Sequence, residues 1–268
     1  MRIAVISDVH ANLPALRAAL ADIKAAAPDA IVSCGDLAAG PLPGQAIGLL
    51  RGLDIPVHCV RGNADRGMVE AFDGTSDPAA THEDDVWAGT QLTRDERDYL
   101  ATFAATLSFD VDDLGPVLFC HATPRSDEEI ILATSSQHHL EAALAGVREH
   151  TVICGHTHMQ FDRQAGRYRL VNAGSVGMPY GQPAAYWALL GPGVSLRSTH
   201  YDLQAAASEI RQTSRWQKAD SFARQVLQPP SADDALAFFQ RRELEGQNDA
   251  GPPSALGARL SWPISPAR

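Results

Sequence analysis

The chain has 268 residues, of which 45% are hydrophobic and 20% are charged, and this is the composition of an ordinary globular protein. It excludes wholesale disorder, collagen-like repeats and coiled coils, and no apolar run reaches the roughly 18 residues that a membrane span needs. Acidic residues number 32 and basic residues 22, and the net charge of −10 argues against a generic nucleic-acid coat. The four cysteines form no CxxC pair and the N-terminus lacks the features of a signal peptide, so the sequence predicts a protein of the reducing cytoplasm.

The first part of the chain alternates predicted strands and helices. Apolar, β-branched runs predict the strands, and leucines at helical spacing predict the helices between them. In chain order we expect a strand over 2–7, a helix over 11–27, a strand over 30–34, a helix over 45–51 and a strand over 55–60. This alternation is typical of parallel strands joined by right-handed crossovers.

The middle of the chain is predicted to be rich in strands. Residues 73–89 are polar and acidic, and we expect them to cross the surface as a connection. Within it the acidic run Glu83, Asp84 and Asp85 is predicted to be a solvated loop. Thr93 and Glu96 form a predicted capping box at the start of a helix. Further on we expect a helix over 137–144 and strands over 107–111, 116–120, 151–154, 167–171, 185–190 and 194–201.

The pattern becomes helical from residue 202. We expect one helix after Asp202, a second over 216–227 and a third that Ser231 caps. The last segment is rich in Pro, Gly, Ala and Ser. The sequence therefore predicts three parts: one domain over 1–201, a helical extension over 202–245 packed on that domain, and a flexible tail over 246–268. Three histidines are predicted to be solvated surface residues: His82, His138 and His139.

Seven potential metal ligands directly follow five predicted strands: Asp8, His10, Asp36, Asn63, His121, His156 and His158. Ligands of open α/β folds bind at the carboxyl ends of parallel strands, so these loops can meet at one site. Mixed oxygen and nitrogen donors suit first-row divalent metals better than Ca²⁺ or an Fe–S cluster. Seven donors are too many for one tetrahedral zinc ion and suit two metals that share a carboxylate. We also expect Gly35, Gly62 and Gly155 to let the backbone approach the ions closely.

The motifs D-x-H, G-D, G-N-x-[DE], a lone H and G-H-x-H occur in this order over residues 8–158. They resemble the pattern of the calcineurin-like metallophosphoesterase superfamily, and the runs at 7–16 and 172–177 resemble its YfcE-type bacterial phosphodiesterase group. The resemblance covers residues 1–201. It implies an α/β fold, namely a four-layer α-β-β-α sandwich of two mixed sheets flanked by helices, and the extra C-terminal helices lie outside it.

The resemblance also implies a role for each ligand. One metal would be held by Asp8, His10 and His158, the second by Asn63, His121 and His156, and Asp36 would bridge the two. A bridging hydroxide would attack phosphorus, with Asp36, Asn63 and His121 as catalytic residues. The implied cofactors are two divalent metal ions, Mn²⁺ first, with Fe, Zn²⁺, Co²⁺ and Ni²⁺ as alternatives.

Six further residues are candidates for supporting the ligands or binding the substrate: Asn12, Asp65, Arg66, Arg125, Gly174 and Ser175. Asn12 either orients a metal-bound water or caps a helix, and these roles are compatible. Asp65 either caps the helix that begins near Arg66 or pairs with Arg61 or Arg66. Arg66 and Arg125 are expected either to contact phosphate or to be surface charges. Gly174 and Ser175 are expected either to line a phosphate pocket or to form a tight turn.

One position departs from the superfamily pattern. Many members carry a histidine at the third position of G-N-[HD]-[DE], where it can protonate the leaving group, and this chain has Ala64 there. The departing oxygen would then leave with help from a metal, water or another side chain. The rate should then depend steeply on the pKa of the leaving group, with aryl esters cleaved much faster than alkyl esters.

These features predict an enzyme that hydrolyses a phosphodiester, or a nucleotide-like phosphoester, through a dinuclear metal centre. The alternatives are a phosphomonoesterase or a nucleotide pyrophosphohydrolase on the same site, and a binding scaffold such as the retromer subunit of this fold. The intact ligand set argues against a scaffold. The expected partner is a small phosphoester substrate rather than a membrane or nucleic acid, and a homo-oligomer stays open.

Overall fold

The computed structural model describes residues 1–78 and 81–248, and strands and helices alternate over much of these ranges. The strands among the described residues are β1 Ile3–Ile6, β2 Ala30–Ser33, β3 Val57–Cys59, β4 Thr106–Val111, β5 Gly115–Cys120, β6 Thr151–Cys154, β7 Phe161–Ala165, β8 Tyr168–Asn172, β9 Ala185–Leu190 and β10 Val194–Thr199. The helices of the same ranges are α1 Leu13–Ala26, α2 Pro43–Arg51, α3 Asn63–Asp73, α4 Glu83–Thr90, α5 Arg94–Ala101, α6 Gln137–Ala143, α7 Leu203–Thr213, α8 Ala219–Leu227 and α9 Ala232–Asn248.

The strands form two five-stranded sheets that mix parallel and antiparallel pairs. The first sheet has the order β10-β9-β1-β2-β3, in which β1, β2 and β3 are parallel. The second has the order β4-β5-β6-β8-β7, in which β5, β6 and β8 are parallel. The loops after β1 and β2 meet where the Asp8 N–H donates to the Gly35 carbonyl at 2.9 Å. Those after β5 and β6 meet where the Gly155 N–H donates to the His121 carbonyl at 2.8 Å.

Alternate residues of β1 belong to different layers of the core, as the two-residue period of a strand requires. Ile3 and Val5 join an apolar cluster with residues of β5, β6 and β8, so this cluster lies between the two sheets. Ala4 and Ile6 join a second cluster with the apolar faces of α1 and α2. A third cluster lies between the second sheet and α6. The predicted four-layer α-β-β-α sandwich of two mixed sheets is therefore confirmed.

The prediction for residues 73–89 is wrong at its acidic run. That run forms the first turn of α4, and His82 is the N-cap residue, which accepts the Asp84 N–H on Nδ1 at 3.3 Å. Asp85 is buried, because α4 packs closely on α3. Acidic residues are favourable in the first turn of a helix, where the backbone N–H groups are unsatisfied, and this explains why a helix can begin in so polar a segment.

The strand β7 is absent from the sequence-based prediction. It pairs antiparallel with β8 at the edge of the second sheet, and only its first and last residues, Phe161 and Ala165, are buried. The three residues between them are polar, so the apolar alternation that announces a strand is missing.

The C-terminal helices contact the rest of the chain on several sides. The Ser214 hydroxyl donates to the Pro41 carbonyl at 2.7 Å, and the Gly181 N–H donates to the Pro230 carbonyl at 2.8 Å. Ser231 caps α9 as predicted, accepting the Asp234 N–H at 3.1 Å. The helix continues to Asn248, so residues 246–248 of the predicted tail are helical, and the rest of that tail lies outside the described residues. The division into domain, extension and tail stays a prediction.

His139 is not the solvated residue that the sequence suggested. Its side chain is 11% exposed, because α9 brings the Glu243 carboxylate to 3.6 Å from its Nε2. None of the helices within the described ranges combines the length and the apolar character that a membrane crossing requires.

The contact between α3 and α4 gives a test with two matched glycines. A Cβ at Gly89 of α4 would lie 2.6 Å from the Met68 carbonyl oxygen, whereas a Cβ at Gly48 of α2 meets nothing within 4 Å. We expect Gly89→Ala to lower the free energy of unfolding by about 1–3 kcal/mol through overpacking. Gly48→Ala should raise it by about 0.5–1 kcal/mol, because alanine is the better helix former. Urea denaturation measures both, and equal effects would contradict the close packing of α3 and α4.

Candidate metal centre

The seven predicted ligands come together at the edge where the parallel strands end. Each lies directly after a strand, so the short connections rather than the strands bring the side chains together. In chain order the ligands follow β1, β2, β3, β5 and β6: Asp8 and His10, Asp36, Asn63, His121, and His156 with His158.

Three of these side chains form one half of the centre. The Nε2 of His158 lies 3.1 Å from Asp8 Oδ1 and 3.2 Å from His10 Nε2. The donor atoms of these three residues all lie within 4.8 Å of one another, which is the spacing that a shared cation needs.

The other half of the centre contains His121, Asn63 and His156. The Nε2 of His121 lies 3.0 Å from Asn63 Oδ1 and 3.2 Å from His156 Nδ1. Asp36 reaches both halves, since its Oδ2 lies 3.4 Å from His121 Nε2 and 3.8 Å from His10 Nε2. One carboxylate oxygen therefore lies between two groups of donors.

Each of the four imidazoles is held by a backbone carbonyl on the ring nitrogen that points away from the centre. A carbonyl only accepts, so that nitrogen donates, and the nitrogen that faces the centre is left to bind a cation. The carbonyls are those of Ala39 for His10 at 3.1 Å, Cys34 for His121 at 2.7 Å, Glu128 for His156 at 3.2 Å and Met178 for His158 at 2.8 Å.

The remaining oxygen donors also suit a cation. Asp8 Oδ1 is fully buried and has no hydrogen-bond donor among the described residues. The Asn63 amide can turn either end to His121 and His156: its nitrogen would donate to both rings, and its oxygen adds another lone pair for a cation. Buried lone pairs this close repel one another unless a positive charge lies between them. The residues present therefore fit divalent metal ions.

The charges in this cluster are strongly coupled. Burial raises the pKa of Asp36, but the imidazoles of His121 and His10 outweigh it and hold that pKa well below its usual range. Burial lowers the pKa of His121, and there Asp36 and Asp8 outweigh it and raise the pKa to about 10. A proton on His121 competes with a cation for the same nitrogen, so cation binding releases a proton and weakens as the pH falls.

Most of the ligands sit on strained backbone. Positive φ angles, which only glycine adopts readily, occur at Asp8, His10, Asp36, His156 and His158, with values of 52°, 45°, 54°, 66° and 59°. Each costs about 1–3 kcal/mol and persists only where the surroundings enforce it, which is typical of functional sites.

Two glycines let the ligand loops approach one another. A Cβ at Gly62 would lie 2.0 Å from Asp36 Oδ1, and a Cβ at Gly155 would lie 2.4 Å from Asp8 Oδ2. Any other residue at either position would displace a carboxylate of the centre, which agrees with the expected close approach.

The sequence matches the family model of the calcineurin-like phosphoesterase superfamily domain over residues 1–191. The chain belongs to this superfamily. The resemblance expected from the motifs is confirmed, and so is the prediction that the protein is a metallophosphoesterase.

Several solved structures are similar to this phosphoesterase. A hypothetical protein from Pyrococcus horikoshii OT3 is 19% identical with a TM-score of 0.70, over 83% of this chain and 97% of that chain. A metallophosphoesterase from Sphaerobacter thermophilus is 25% identical with a TM-score of 0.65, over 84% and 98%. YfcE, a phosphoesterase from E. coli, is 19% identical with a TM-score of 0.45, over 72% and 89%. No curated protein matches the sequence.

Asp65 holds the loop of the phosphoesterase that carries Asp36. Its buried carboxylate accepts three backbone N–H groups, from Asp36 at 2.8 Å, Leu37 at 2.9 Å and Gly62 at 3.0 Å. Burial and the charge of Asp36 raise its pKa to about 7 against the opposing effect of the backbone donors. Of the two roles predicted for Asp65, the structure shows the helix cap, and the cap also positions Asp36.

The two predicted phosphate-binding arginines are engaged elsewhere. Arg66 donates to Asp127 at 2.9 Å and to Glu128 at 2.6 Å, and Arg125 pairs with Glu129. Neither is among the described residues that line the cavity next to the ligands. The geometry favours the structural alternative for both, and phosphate binding by them stays a prediction.

The other supporting candidates lie behind the ligand loops. Asn12 caps α1 through the Ala15 N–H at 3.3 Å and donates to the Gly177 carbonyl at 2.8 Å. The Ser175 hydroxyl donates to the Asp8 carbonyl at 2.7 Å. Gly174, with a φ of 78°, forms the turn that presents its neighbour. These contacts fix the loop of Asp8, whereas a phosphate pocket formed by Gly174 and Ser175 stays a prediction.

A cavity of about 180 Å³ opens onto the centre, and much of its lining could not be predicted from the sequence. Near the ligands His10, Asp36 and Asn63 it is lined by Ala64. Most of the remaining lining comes from the start of α4 and from the C-terminal segment: His82, Glu83, Asp84, Asp85, Trp216, Lys218, Ser221, Phe222, Gln225, Phe238 and Phe239. The helices were predicted, but nothing in their spacing says where they pack.

Asp65→Asn tests the support of the Asp36 loop. The introduced amide would turn a donor towards at least one of the three backbone N–H groups, so we expect the free energy of unfolding to fall by about 1–3 kcal/mol. Asp98→Asn on the exposed face of α5 is the control and should change it by less than about 0.5 kcal/mol. Urea denaturation measures both, and a neutral Asp65→Asn would contradict the positioning role.

Asp36→Asn tests the shared carboxylate. We expect it to weaken the binding of Mn²⁺ and Zn²⁺ by more than the roughly 10–100-fold typical of residues outside the coordination sphere. Asp127→Asn removes a nearby carboxylate that Arg66 already engages and should bind both ions like the unmodified protein. Calorimetric titration measures the affinity of both variants for the two ions. An unchanged affinity in Asp36→Asn would show that Asp36 is not a ligand.

Proposed function

We propose that this chain is a dinuclear metal-dependent phosphodiesterase. The observation that carries the proposal is Asp36 Oδ2, which lies between two groups of donors, 3.4 Å from His121 and 3.8 Å from His10. Membership of the phosphoesterase superfamily and the likeness to the metallophosphoesterase of Sphaerobacter thermophilus support it.

In this proposal Asp8, His10 and His158 hold one cation, three further ligands hold the second, and Asp36 holds both. The further ligands are Asn63, His121 and His156. Bound divalent ions would supply positive charge for the phosphoryl oxygens and favour ionisation of the attacking water. Mn²⁺ is our first candidate, and Fe, Zn²⁺, Co²⁺ and Ni²⁺ accept the same donors.

The chain's own part in the reaction is to hold these donors rigid. Backbone carbonyls fix the four imidazoles, and Asp36 is held by Asp65 and by the Ala64 N–H at 2.9 Å. Little reorganisation is then needed when charge develops on the phosphoryl group, which is the main advantage of a preorganised site.

The wall formed by α4 and the C-terminal helices favours a diester over a monoester. It carries the two carboxylates of Glu83 and Asp84, and among residues 1–78 and 81–248 its one lysine or arginine is Lys218, which pairs with both, with Asp84 at 2.5 Å. A monoester dianion carries one more negative charge towards this wall than a diester does. The aromatic side chains of the same wall suit an organic substituent on the second ester oxygen.

We place the reaction in the reducing cytoplasm, and the four free cysteines support this compartment.

The donor set also bears on the alternative functions. Because it is intact, it argues against a purely binding scaffold. A monoesterase or a nucleotide pyrophosphohydrolase would use the same ligands, so the substrate charge distinguishes these alternatives from the proposal.

The test is hydrolysis by protein loaded with Mn²⁺. We expect kcat/KM for bis(4-nitrophenyl) phosphate to exceed that for 4-nitrophenyl phosphate by about tenfold or more. One extra charge about 10 Å from a carboxylate costs about 1–2 kcal/mol at an effective dielectric constant of about 20. Chelation should abolish both activities. A preference for the monoester would favour the phosphomonoesterase, and no hydrolysis of either ester with any of the five metals would contradict the proposal.

A further inference from the structure

The cavity contains a carboxyl group that the ligand set does not use. Asp85 in the first turn of α4 lines it together with Asp36, Asn63 and Ala64. The residue is 8% exposed, and its carboxyl group makes no hydrogen bond or ion pair with any other residue that the structure describes. A buried polar group without a partner is costly, so one that faces a substrate cavity points to an interaction with the ligand.

The packing of α4 on α3 puts this carboxyl group one helical turn from Ala64. A Cβ at Gly67 would lie 3.0 Å from Asp85 Oδ2, so Asp85 lies directly over Gly67 of α3. Residues three apart on a helix share a face, and Ala64 is three residues before Gly67. Ala64 has only a methyl group and Gly67 has no side chain, so the space that a histidine fills in many relatives is open towards the Asp85 carboxyl group.

The surroundings of Asp85 favour its protonated form. Burial raises its pKa well above the usual value, and the charges of Asp36, Asp84 and Asp65 raise it further against the opposing effect of Arg66. The other ionisable groups of this wall pair with one another, since Lys218 and His82 both contact Asp84. A protonated carboxyl group is a proton donor.

We propose that Asp85 is the general acid of the reaction and protonates the leaving oxygen. In the step, a water-derived hydroxide forms the new P–O bond as the bond to the leaving oxygen breaks. The electron pair of the broken bond and the Asp85 proton both go to that oxygen, which departs as an alcohol, and Asp85 then regains a proton from solvent. This inference rests on the proposed phosphodiesterase function.

His82 is the competing donor, because it lines the same cavity. Its Nδ1 already accepts the Asp84 N–H at 3.3 Å and faces the Asp84 carboxylate at 3.4 Å. Asp85 lies over α3 one helical turn from Ala64, where the imidazole is missing, so the geometry favours the carboxyl group. The steep dependence on leaving-group pKa expected from Ala64 alone should then be absent from the unmodified enzyme.

The kinetic test uses aryl methyl phosphates with leaving groups from 4-nitrophenol to unsubstituted phenol, with the metal-loaded enzyme. In Asp85→Asn we expect kcat/KM for the phenyl ester to fall by about 10²–10⁴-fold while the 4-nitrophenyl ester is cleaved at nearly the unmodified rate. Asp98→Asn is the control, since Asp98 is an exposed carboxylate of α5 outside the described lining of the cavity. This variant should keep the shallow dependence of the rate on leaving-group pKa.

The pH profile gives a second readout. In the unmodified enzyme, turnover of the phenyl ester should fall as the pH rises through the pKa of Asp85, and this fall should be absent in Asp85→Asn.

Two kinetic outcomes would overturn the assignment. Equal losses on all esters in Asp85→Asn would show a structural role. If the rate depended more steeply on leaving-group pKa in His82→Gln and showed no such change in Asp85→Asn, His82 would be the acid. Failure of the phosphodiesterase proposal looks different, because the unmodified enzyme would then cleave none of the esters.

A measurement without turnover completes the test. Infrared spectroscopy of the Zn²⁺-loaded protein at pH 7 should show the carbonyl band of a protonated carboxylic acid. Asp65 can also contribute to this band, so the variants are compared: the band should lose intensity in Asp85→Asn and keep it in Asp98→Asn. Ionised Asp85 at this pH would refute the proposal whatever the protein hydrolyses.

Discussion

Mutual repulsion of buried lone pairs is the constraint on which the rest of the structure depends. An amide oxygen, an imidazole nitrogen and a carboxylate oxygen lie 3.0–3.4 Å from His121 Nε2, and such an arrangement is stable only around a proton or a cation. The surrounding structure serves to maintain it. Backbone carbonyls fix the rings, Asp65 holds the Asp36 loop, and left-handed backbone at five ligands is kept in place by the two sheets.

The sandwich explains how strain of this kind is tolerated. The loops of the centre are anchored in strands that are buried on both faces, such as β1, whose four residues are all buried. A loop whose ends are fixed in this way has little freedom to relax into an unstrained conformation. The same rigidity makes the site preorganised for charge on a phosphoryl group, so the folding energy of the sheets supports the chemistry proposed at their edge.

Much of this centre could be predicted because ligands and strands are neighbours in the sequence. Asp8 follows β1 and His121 follows β5, and the rule for parallel strands then brings the residues together. Asp85 could not be found in this way, because its burial comes from glycines in two different helices. Nor could the wall formed by Trp216 and Phe239, since helical spacing shows which face is apolar but not what that face covers.

The cavity has two walls with separate origins in the chain. The ligands belong to the sandwich, whereas the aromatic side chains come from the helices after residue 202. Substitutions in those helices can change the shape of the opening without moving a single donor atom. A lineage that kept the centre unchanged could therefore exchange one esterified alcohol for another by altering α8 and α9 alone, so chemistry and selectivity can evolve independently in this protein.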